Sequence, residues 1–331
     1  MTAMPFDRFR AFIEHHDDFL IVAHVDPDGD AVGSCLGLQG ALLARGKRAT
    51  VVSEDAVPEN LRFLPGTDGI LLPSRAPGPY RAVFVLDCSS LDRVGPRTAA
   101  LVAPDATIAC IDHHAGNEGF GDPRFVVVAA AATAELVYDL VEALGVPITP
   151  EIAAALYTGI ASDTGAFRYL NTTPRVLRIA ARLVERGADA AATAEALYAR
   201  KSASSLRILG LALASLEARA SGTVAALTIT REMFDRARAT PEDADGIVQY
   251  AKSLLGSRVG VLLQETAPGE VRISFRSDGS VDVNQVAARF GGGGHKVAAG
   301  ARVSGPIADV RETILRSLEE AVNGGQPAPR G

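Results

Sequence analysis

Three apolar runs in the first third of the chain share one plan. They are Phe19-Leu20-Ile21-Val22-Ala23, Ala82-Val83-Phe84-Val85-Leu86 and Thr107-Ile108-Ala109-Cys110-Ile111. Each is short and lacks the polar alternation of a half-exposed strand, so each reads as a strand buried on both faces. Each then stops at acidic or imidazole groups: His24, Asp26, Asp28 and Asp30 after the first, Asp87 after the second, Asp112, His113 and His114 after the third. Packing alone would scatter such residues through the loops. In an open α/β sheet the carboxyl ends of the strands are where ligands bind.

Between these runs the pattern changes to a helical period. Helices are predicted over 1–18, 31–44, 131–144, 150–161 and from Pro174 to near Gly187, and shorter strands over 48–52 and 125–128. Residues 54–66 read as a loop with a short helix, and the Pro-rich 73–79 breaks the chain. Alternating strands and helices predict an α/β domain over 1–187, a mostly parallel sheet with helices on both faces. An Ala- and Glu-rich helical connector, 188–201, leads to a smaller α+β domain with a mixed sheet, 202–324. Its strands are predicted at 223–230, 259–264, 271–275 and 301–303, and its helices at 242–255, 282–290 and 307–322. The Gly- and Pro-rich tail, 325–331, is expected to be disordered.

The length of 331 residues fits two domains, and 47% apolar with 22% charged residues is ordinary for a soluble protein. A net charge of −6 argues against a broad basic face for long duplex DNA but leaves small anionic substrates open. No apolar run reaches membrane-spanning length, and the first residues lack a basic start followed by an apolar core, so no membrane partner and a cytoplasmic location are expected. Cys35, Cys88 and Cys110 form no CxxC pair and are expected to be buried packing residues. His15 and His16, among Glu14, Asp17 and Asp18, read as solvated.

The turn from His24 to Ser34 crowds one His and three Asp between a strand and a helix. Carboxylates so close repel each other unless cations neutralise them. A metal site with His24, Asp28 and Asp30 as ligands is one reading; a solvated turn in which Asp30 caps the helix is the other, and the turn alone leaves them even. Asp87, Asp112, His113, His114 and Asp163 tip the balance. Two imidazoles and four carboxylates suffice for two divalent ions sharing one carboxylate. The His-x-x-x-Asp-x-Asp spacing lets His24 and Asp28 face one ion and Asp30 the other, with Asp87 between them. Mixed nitrogen and oxygen donors without thiolate suit Mn(II), cobalt or iron better than Mg(II). Two ions about 3.5–4 Å apart clamp an in-line displacement at phosphorus, with a shared, deprotonated water as nucleophile.

This set resembles the DHH phosphoesterase superfamily, named for a triplet that stands here as Asp112-His113-His114. Four stretches carry the resemblance in order: HVDPDGDAVGS from His24, VLDCSSLDRVG from Val85, IDHHAGN from Ile111 and GIASDTGAFRY from Gly159. RFGGGGHKVAAG from Arg289 resembles the DHH-associated domain of the oligoribonuclease branch, so the likeness spans nearly the whole chain. Within the superfamily the chain is similar to the bifunctional oligoribonuclease and 3′-phosphoadenosine 5′-phosphate phosphatase group, which includes enzymes acting on cyclic di-AMP or its linear product.

The resemblance implies roles. His24 and Asp28 would hold one metal, Asp30 and His113 the other, Asp87 would bridge and Asp163 would complete the cluster. His114 would contact the scissile phosphate and stabilise charge or protonate the leaving alkoxide, and Asp112 would orient the histidines. Asp26 stands where Asn is expected in relatives and lies outside the ligand set. Arg168, Arg276, Ser277, Gly292, Gly293, Gly294 and His295 are the substrate-binding candidates, the glycines by bringing backbone N–H groups close to phosphate. Arg93, Asn284 and Arg289 are weaker candidates, and Asp278 replaces a basic residue expected after the Arg-Ser pair. Tyr169, Tyr198 and Tyr250 are expected to pack. The implied activity is Mn(II)-dependent hydrolysis of short oligoribonucleotides to mononucleotides and of 3′-phosphoadenosine 5′-phosphate to AMP, by a homodimer. The alternative is a cyclic di-AMP or linear diadenylate phosphodiesterase; an inorganic pyrophosphatase or an inactive nucleotide sensor ranks below.

Overall fold

The apolar runs become the middle of a parallel sheet. The structure, a computed structural model, describes residues 6–324, so the expectations for 1–5 and for the tail 325–331 fall outside the described residues. In chain order come α1 (Phe6–His15), β1 (Asp18–Val22), α2 (Gly29–Ala44), β2 (Arg48–Val51), β3 (Tyr80–Leu86), α3 (Pro96–Ala99), β4 (Val102–Asp112), β5 (Arg124–Val126), α4 (Thr133–Ala143), α5 (Pro150–Asp163), α6 (Pro174–Glu185) and α7 (Ala190–Ala194). The five strands lie in the order β2-β1-β3-β4-β5, all parallel.

Each central strand feeds two cores by parity. Phe19 and Ile21 of β1 join Phe84 and the helices on one face. Leu20 and Val22 join Val83 and Val85 on the other. That is why the runs are apolar at every position. Helical coverage is uneven: α1, α2 and α4 lie on the first face with α5 and α6 packed against the helices, whereas Val52 and Leu71, paired in a β-bridge, and Val94 and Leu101, flanking α3, close the second.

The contact of α2 with α5 matters most for the site. A Cβ on Gly33 would lie 2.4 Å from the Ala155 carbonyl oxygen, and one on Gly159 would lie 2.6 Å from the Ala134 Cβ and 2.8 Å from an Asp30 oxygen. Only glycine permits this approach. The helices run antiparallel, Gly29 against Ser162 and Gly40 against Ile152, so the end of α5 meets the start of α2.

The chain divides after Arg200 into a second unit. It comprises α8 (Ala203–Ala214), β6 (Glu217–Arg219), β7 (Val224–Ile229), α9 (Arg231–Ala237), α10 (Val248–Lys252), β8 (Val259–Ala267), β9 (Glu270–Ser277), α11 (Val283–Ala288), β10 (Gly293–His295), β11 (Ala298–Ser304) and α12 (Ile307–Gly324). The sheet order is β10-β11-β9-β8-β7-β6, mixed because β7 and β8 pair in parallel while the other neighbours are antiparallel. One face packs on α11 and α12, and the β7–β8 part of the other packs on α8, α9 and α10. The expected helix 242–255 is broken into a 3₁₀ turn, Pro241–Ala244, and the short α10, because Gly246 at φ +81° interrupts it. Among the described residues no helix is long and apolar enough to cross a membrane.

Candidate metal centre

The loop after β1 delivers three of the acidic residues in different ways. Asp28 caps α2: its Oδ1 accepts the N–H groups of Asp30 and Ala31, both at 3.0 Å. Asp30 does not cap its own helix. It is fully buried, and its Oδ2 and Oδ1 accept the Thr133 and Ala134 N–H groups at 2.6 and 2.9 Å. Ala132, at the capping position before α4, has no side chain able to cap it, so Asp30 caps the helix from across the core. Ser34, buried one turn along α2, donates to Asp30 Oδ1 at 3.1 Å. Asp26 is exposed at φ +52°, a left-handed conformation that Asp and Asn accept more readily than most residues.

Asp87 follows β3, also left-handed at φ +53°, with 2% of its surface exposed. Its Oδ2 lies 3.5 Å from His24 Nε2 and its Oδ1 lies 3.5 Å from His113 Nε2. Asp28 Oδ1 is 3.9 Å from His24 Nε2, while Asp30 Oδ2 and Asp163 Oδ2 are 4.0 and 3.2 Å from His113 Nε2. The structure thus brings together all six residues expected as ligands. Their donor atoms form two sets, His24–Asp28–Asp87 and Asp30–His113–Asp163, each within 4.8 Å of one another, and a third set, Asp87–His113–His114, overlaps them.

Backbone carbonyls set the imidazole tautomers. His24 Nδ1 donates to Val25 O at 2.7 Å and His113 Nδ1 to Ala130 O at 3.3 Å, which turns both Nε2 atoms toward the carboxylates. His114 is turned the other way, with Nδ1 2.7 Å from Asp112 Oδ1. Asp112 is fully buried and saturated: Oδ1 also accepts His113 N–H at 2.8 Å, and Oδ2 accepts Asn117 Nδ2 at 2.7 Å. It orients the histidines from behind.

The electrostatics describe a site short of positive charge. Burial pushes the Asp30 carboxyl well above the usual carboxylate range, aided by repulsion from Asp87 and Asp163. Burial likewise brings Asp163 up to about 6, despite its His113 hydrogen bond. Burial disfavours charge on His24, yet the Asp87 hydrogen bond and the nearby carboxylates raise it to about 9. His113 rises to about 10 against the same opposition, chiefly through Asp163 and Asp30. Asp87, against burial, is held below the usual range by the three histidines around it. Protons are drawn here because cations are wanted, and a nitrogen–oxygen donor set without thiolate fits divalent ions.

The surroundings depart from expectation in places. Tyr169, Tyr198 and Tyr250 are 42%, 37% and 48% exposed, yet the Tyr169 ring lies against Gly165, where a Cβ would sit 2.3 Å from it, and the Tyr198 hydroxyl donates to Ala161 O at 2.9 Å. Arg168 is exposed; its Nε donates to Gly165 O at 2.6 Å and its guanidinium lies 5.4 Å from the Tyr198 ring centre. Among the described residues no carboxylate pairs with it. Arg93 is exposed, and its carbonyl accepts Val25 N–H at 2.8 Å. The three cysteines are buried, and burial pushes the Cys88 and Cys110 thiols up to about 12. Thr133, fully buried with Oγ1 2.9 Å from Asp87 Oδ1, is a site residue that sequence reasoning missed; a hydroxyl at the start of a predicted helix looks like any cap.

The second unit holds a cavity of about 590 Å³ on a part of its sheet that no helix among the described residues of that unit covers. On β9, Val271, Ile273 and Phe275 are buried while Arg272, Ser274 and Arg276 alternate with them and line the cavity. Arg302 stands opposite Arg272, and Gly300 opposite both Ser274 and Gly293. Gly292, Gly293 and Gly294 line it too, and a Cβ on Gly292 would lie 2.1 Å from the Gly300 carbonyl oxygen. The glycine run, singled out in the sequence for its backbone N–H groups, enters an edge strand, with His295 exposed at its end. Ser277 builds a turn: Oγ donates to Val281 O at 2.7 Å and accepts Gly279 N–H at 3.0 Å. Asp278 accepts Ser280 N–H at 2.9 Å, and Arg289 is tied to Ser317 at 3.3 Å. Arg272 and Arg302 were not singled out in the sequence, although the period-two pattern of β9 displays Arg272 beside Arg276.

Comparison with known proteins follows the same division. Residues 18–160 match the model of the DHH family, N-terminal domain, and residues 221–324 that of the DHHA1 domain. The bifunctional oligoribonuclease and PAP phosphatase NrnA of Thermus thermophilus is 39% identical over 91% of this chain and 89% of its own. The protein of the same name from Bacillus subtilis is 26% identical over 93% and 95%. The crystal structure of an exopolyphosphatase-related protein from Bacteroides fragilis superposes with a TM-score of 0.90 at 29% identity, covering 96% of this chain and 97% of that one. Two family domains in their order, over a cluster of the right donors, show that this chain belongs to the DHH family and is a phosphoester-hydrolysing enzyme.

Proposed function

We propose that this enzyme hydrolyses short oligoribonucleotides to mononucleotides and 3′-phosphoadenosine 5′-phosphate to AMP, using two Mn(II) ions per subunit. The observation that carries the two-ion reading is Asp87, whose two oxygens lie 3.5 Å from different imidazoles in separate donor sets. His24 and Asp28 would hold one ion, Asp30, His113 and Asp163 the other, and Asp87 both. Such ions supply Lewis-acid polarisation of the phosphoryl oxygens and a water acidified to near neutrality. The substrate assignment rests on the relatives named as oligoribonucleases and PAP phosphatases.

The chain's own groups complete the chemistry. Water adds to phosphorus, the P–O ester bond breaks, and the leaving alkoxide takes a proton from His114, whose ring is held by Asp112 Oδ1 2.7 Å from its Nδ1. Arg168, propped on Tyr198, offers its guanidinium to a substrate phosphate. In the second unit Arg276, the N–H groups of Gly293 and Gly294, and His295 would take a terminal phosphate or base, with Ser277 shaping the adjacent turn; the Gly292 N–H is already given to Ala287 O at 3.0 Å. The working form is proposed as a cytoplasmic homodimer, on the family resemblance.

The test is a panel of diadenylate, 3′-phosphoadenosine 5′-phosphate, cyclic di-AMP and pyrophosphate, each with Mn(II). AMP from the first two at the highest rates is the expected result. Faster turnover of cyclic di-AMP or pyrophosphate would replace the substrate assignment, and no AMP from either of the first two would overturn it.

A further inference from the structure

One short segment outside the four motifs, 130–135, reaches much of the cluster. Ala130 O accepts His113 Nδ1–H at 3.3 Å, and the Thr133 and Ala134 N–H groups end on the two Asp30 oxygens at 2.6 and 2.9 Å. Thr133 Oγ1 donates to Asp87 Oδ1 at 2.9 Å, the oxygen that faces His113. The segment is held from behind in turn. Glu135, 4% exposed, accepts Ala131 N–H at 2.8 Å and pairs with Arg175 of α6, which also binds Asp139 one turn further along α4. Asn171 Nδ2 donates to Ala131 O at 3.0 Å and to Asp163 O at 3.1 Å. An amide nitrogen carries two hydrogens, so one side chain ties the segment to the end of α5.

The His24–Asp28 half is supported elsewhere. Val25 N–H donates to Arg93 O at 2.8 Å, and Asp26 N–H to Asp55 Oδ2 at 3.0 Å. The two halves of the cluster therefore stand on separate supports.

We infer that segment 130–135 is a template that positions the Asp30–His113–Asp163 half and the shared Asp87, with Thr133 and Asn171 as positioning residues that themselves hold neither ion nor substrate. A carboxylate or imidazole held by a fixed partner presents one lone pair in one direction, and losing that partner costs metal affinity. This inference rests on the two-ion reading, and its test separates the two.

Metal-free full-length wild type, Thr133→Val, Thr133→Ser and Asn171→Ala are titrated with Mn(II), free ion being followed by electron paramagnetic resonance, and the metal-free forms are checked by circular dichroism and melting. Wild type is expected to bind two ions. Asn171→Ala should lose affinity at one site by about tenfold to a hundredfold and keep the other within about twofold. Thr133→Val, which keeps the shape and loses the hydroxyl, should bind more weakly by about the same factor, while Thr133→Ser, which keeps the hydroxyl, should bind like wild type. Wild-type affinity in both Thr133→Val and Asn171→Ala, equal weakening of both sites in Asn171→Ala, or equal losses in Thr133→Val and Thr133→Ser would each overturn the inference while leaving the two-ion reading intact. A wild type that binds fewer than two ions would overturn that reading, and the inference with it.

Discussion

The candidate metal centre and the C-terminal cavity handle charge in opposite ways. In the first, Asp30, Asp87 and Asp112 are at most 2% exposed, and each carboxylate oxygen with a named partner is aimed by it. In the second, Arg272 and Arg276, partly exposed, and Arg302, exposed, stand on a sheet face that no helix among the described residues of that unit covers, Arg272 near Asp245 and Arg302 near Glu270. Buried charges interact strongly and tolerate little displacement, whereas exposed ones are screened and adjustable. Substitutions at the centre should therefore be severe and specific, and those at the cavity graded and salt-sensitive.

The sharpest attempt to break this contrast is Asp87→Ala. Activity should fall to about a thousandth or less, because groups that act as a unit fail together, while the far-ultraviolet circular dichroism stays that of wild type. Residual activity near a tenth would mean that Asp87 is not shared. Asp28→Asn comes next. It keeps the cap on α2 but removes a charge from the His24 set, so Mn(II) affinity should drop about tenfold to a hundredfold in a direct titration.

The cavity variants should be milder. Arg276→Ala and His295→Ala should each raise KM for diadenylate about tenfold, the loss of one charge-assisted hydrogen bond, with little change for a generic activated phosphodiester. Rising salt should shrink the difference. Equal losses on both substrates would show that these residues serve the fold.

Glu54 tests the scaffold between the extremes. It is 6% exposed and accepts Arg97 Nε at 2.8 Å and Thr98 N and Oγ1 at 2.7 Å each. Burial opposes its ionisation, but these bonds prevail and bring its carboxyl from 4.5 down to about 2. A folded-state value below the unfolded one stabilises the protein fully above pH 4.5 and ceases to do so as pH falls toward 2. Glu54→Gln should therefore melt lower at pH 7, by the few degrees that about 1–3 kcal/mol represents. The gap should narrow in melts below pH 4.5, and a gap independent of pH would refute the ionic explanation. The smallest effect should come from Asp26→Asn, exposed and left-handed, with metal content and rate within about twofold of wild type.

Much of this was legible in the chain. Phe19 to Ala23 announces a strand because both faces are buried, and the acids that follow must lie at its carboxyl end. The helix starting beyond Asp28 was visible from its period, but whether Asp28 or Asp30 capped it was not, since both have the right chemistry. In the second unit α8 and α9 escaped notice and the helix over 242–255 was drawn too long. Leu206 and Leu213 put apolar groups on the outer side of α8 as Ile208 and Ala212 do on the inner, which blurs the period.

By itself the sequence determined the donor types, their placement at strand ends and the alternation of strand and helix, because periodicity and local spacing depend only on neighbours along the chain. The tertiary structure alone decided which oxygen meets which imidazole. Gly33 and Gly159 let α5 close on α2 and carry Asp163 to His113, and Asp30 turned from its own helix to cap another 103 residues away. Such pairings are fixed by packing between distant segments, and no local pattern records them.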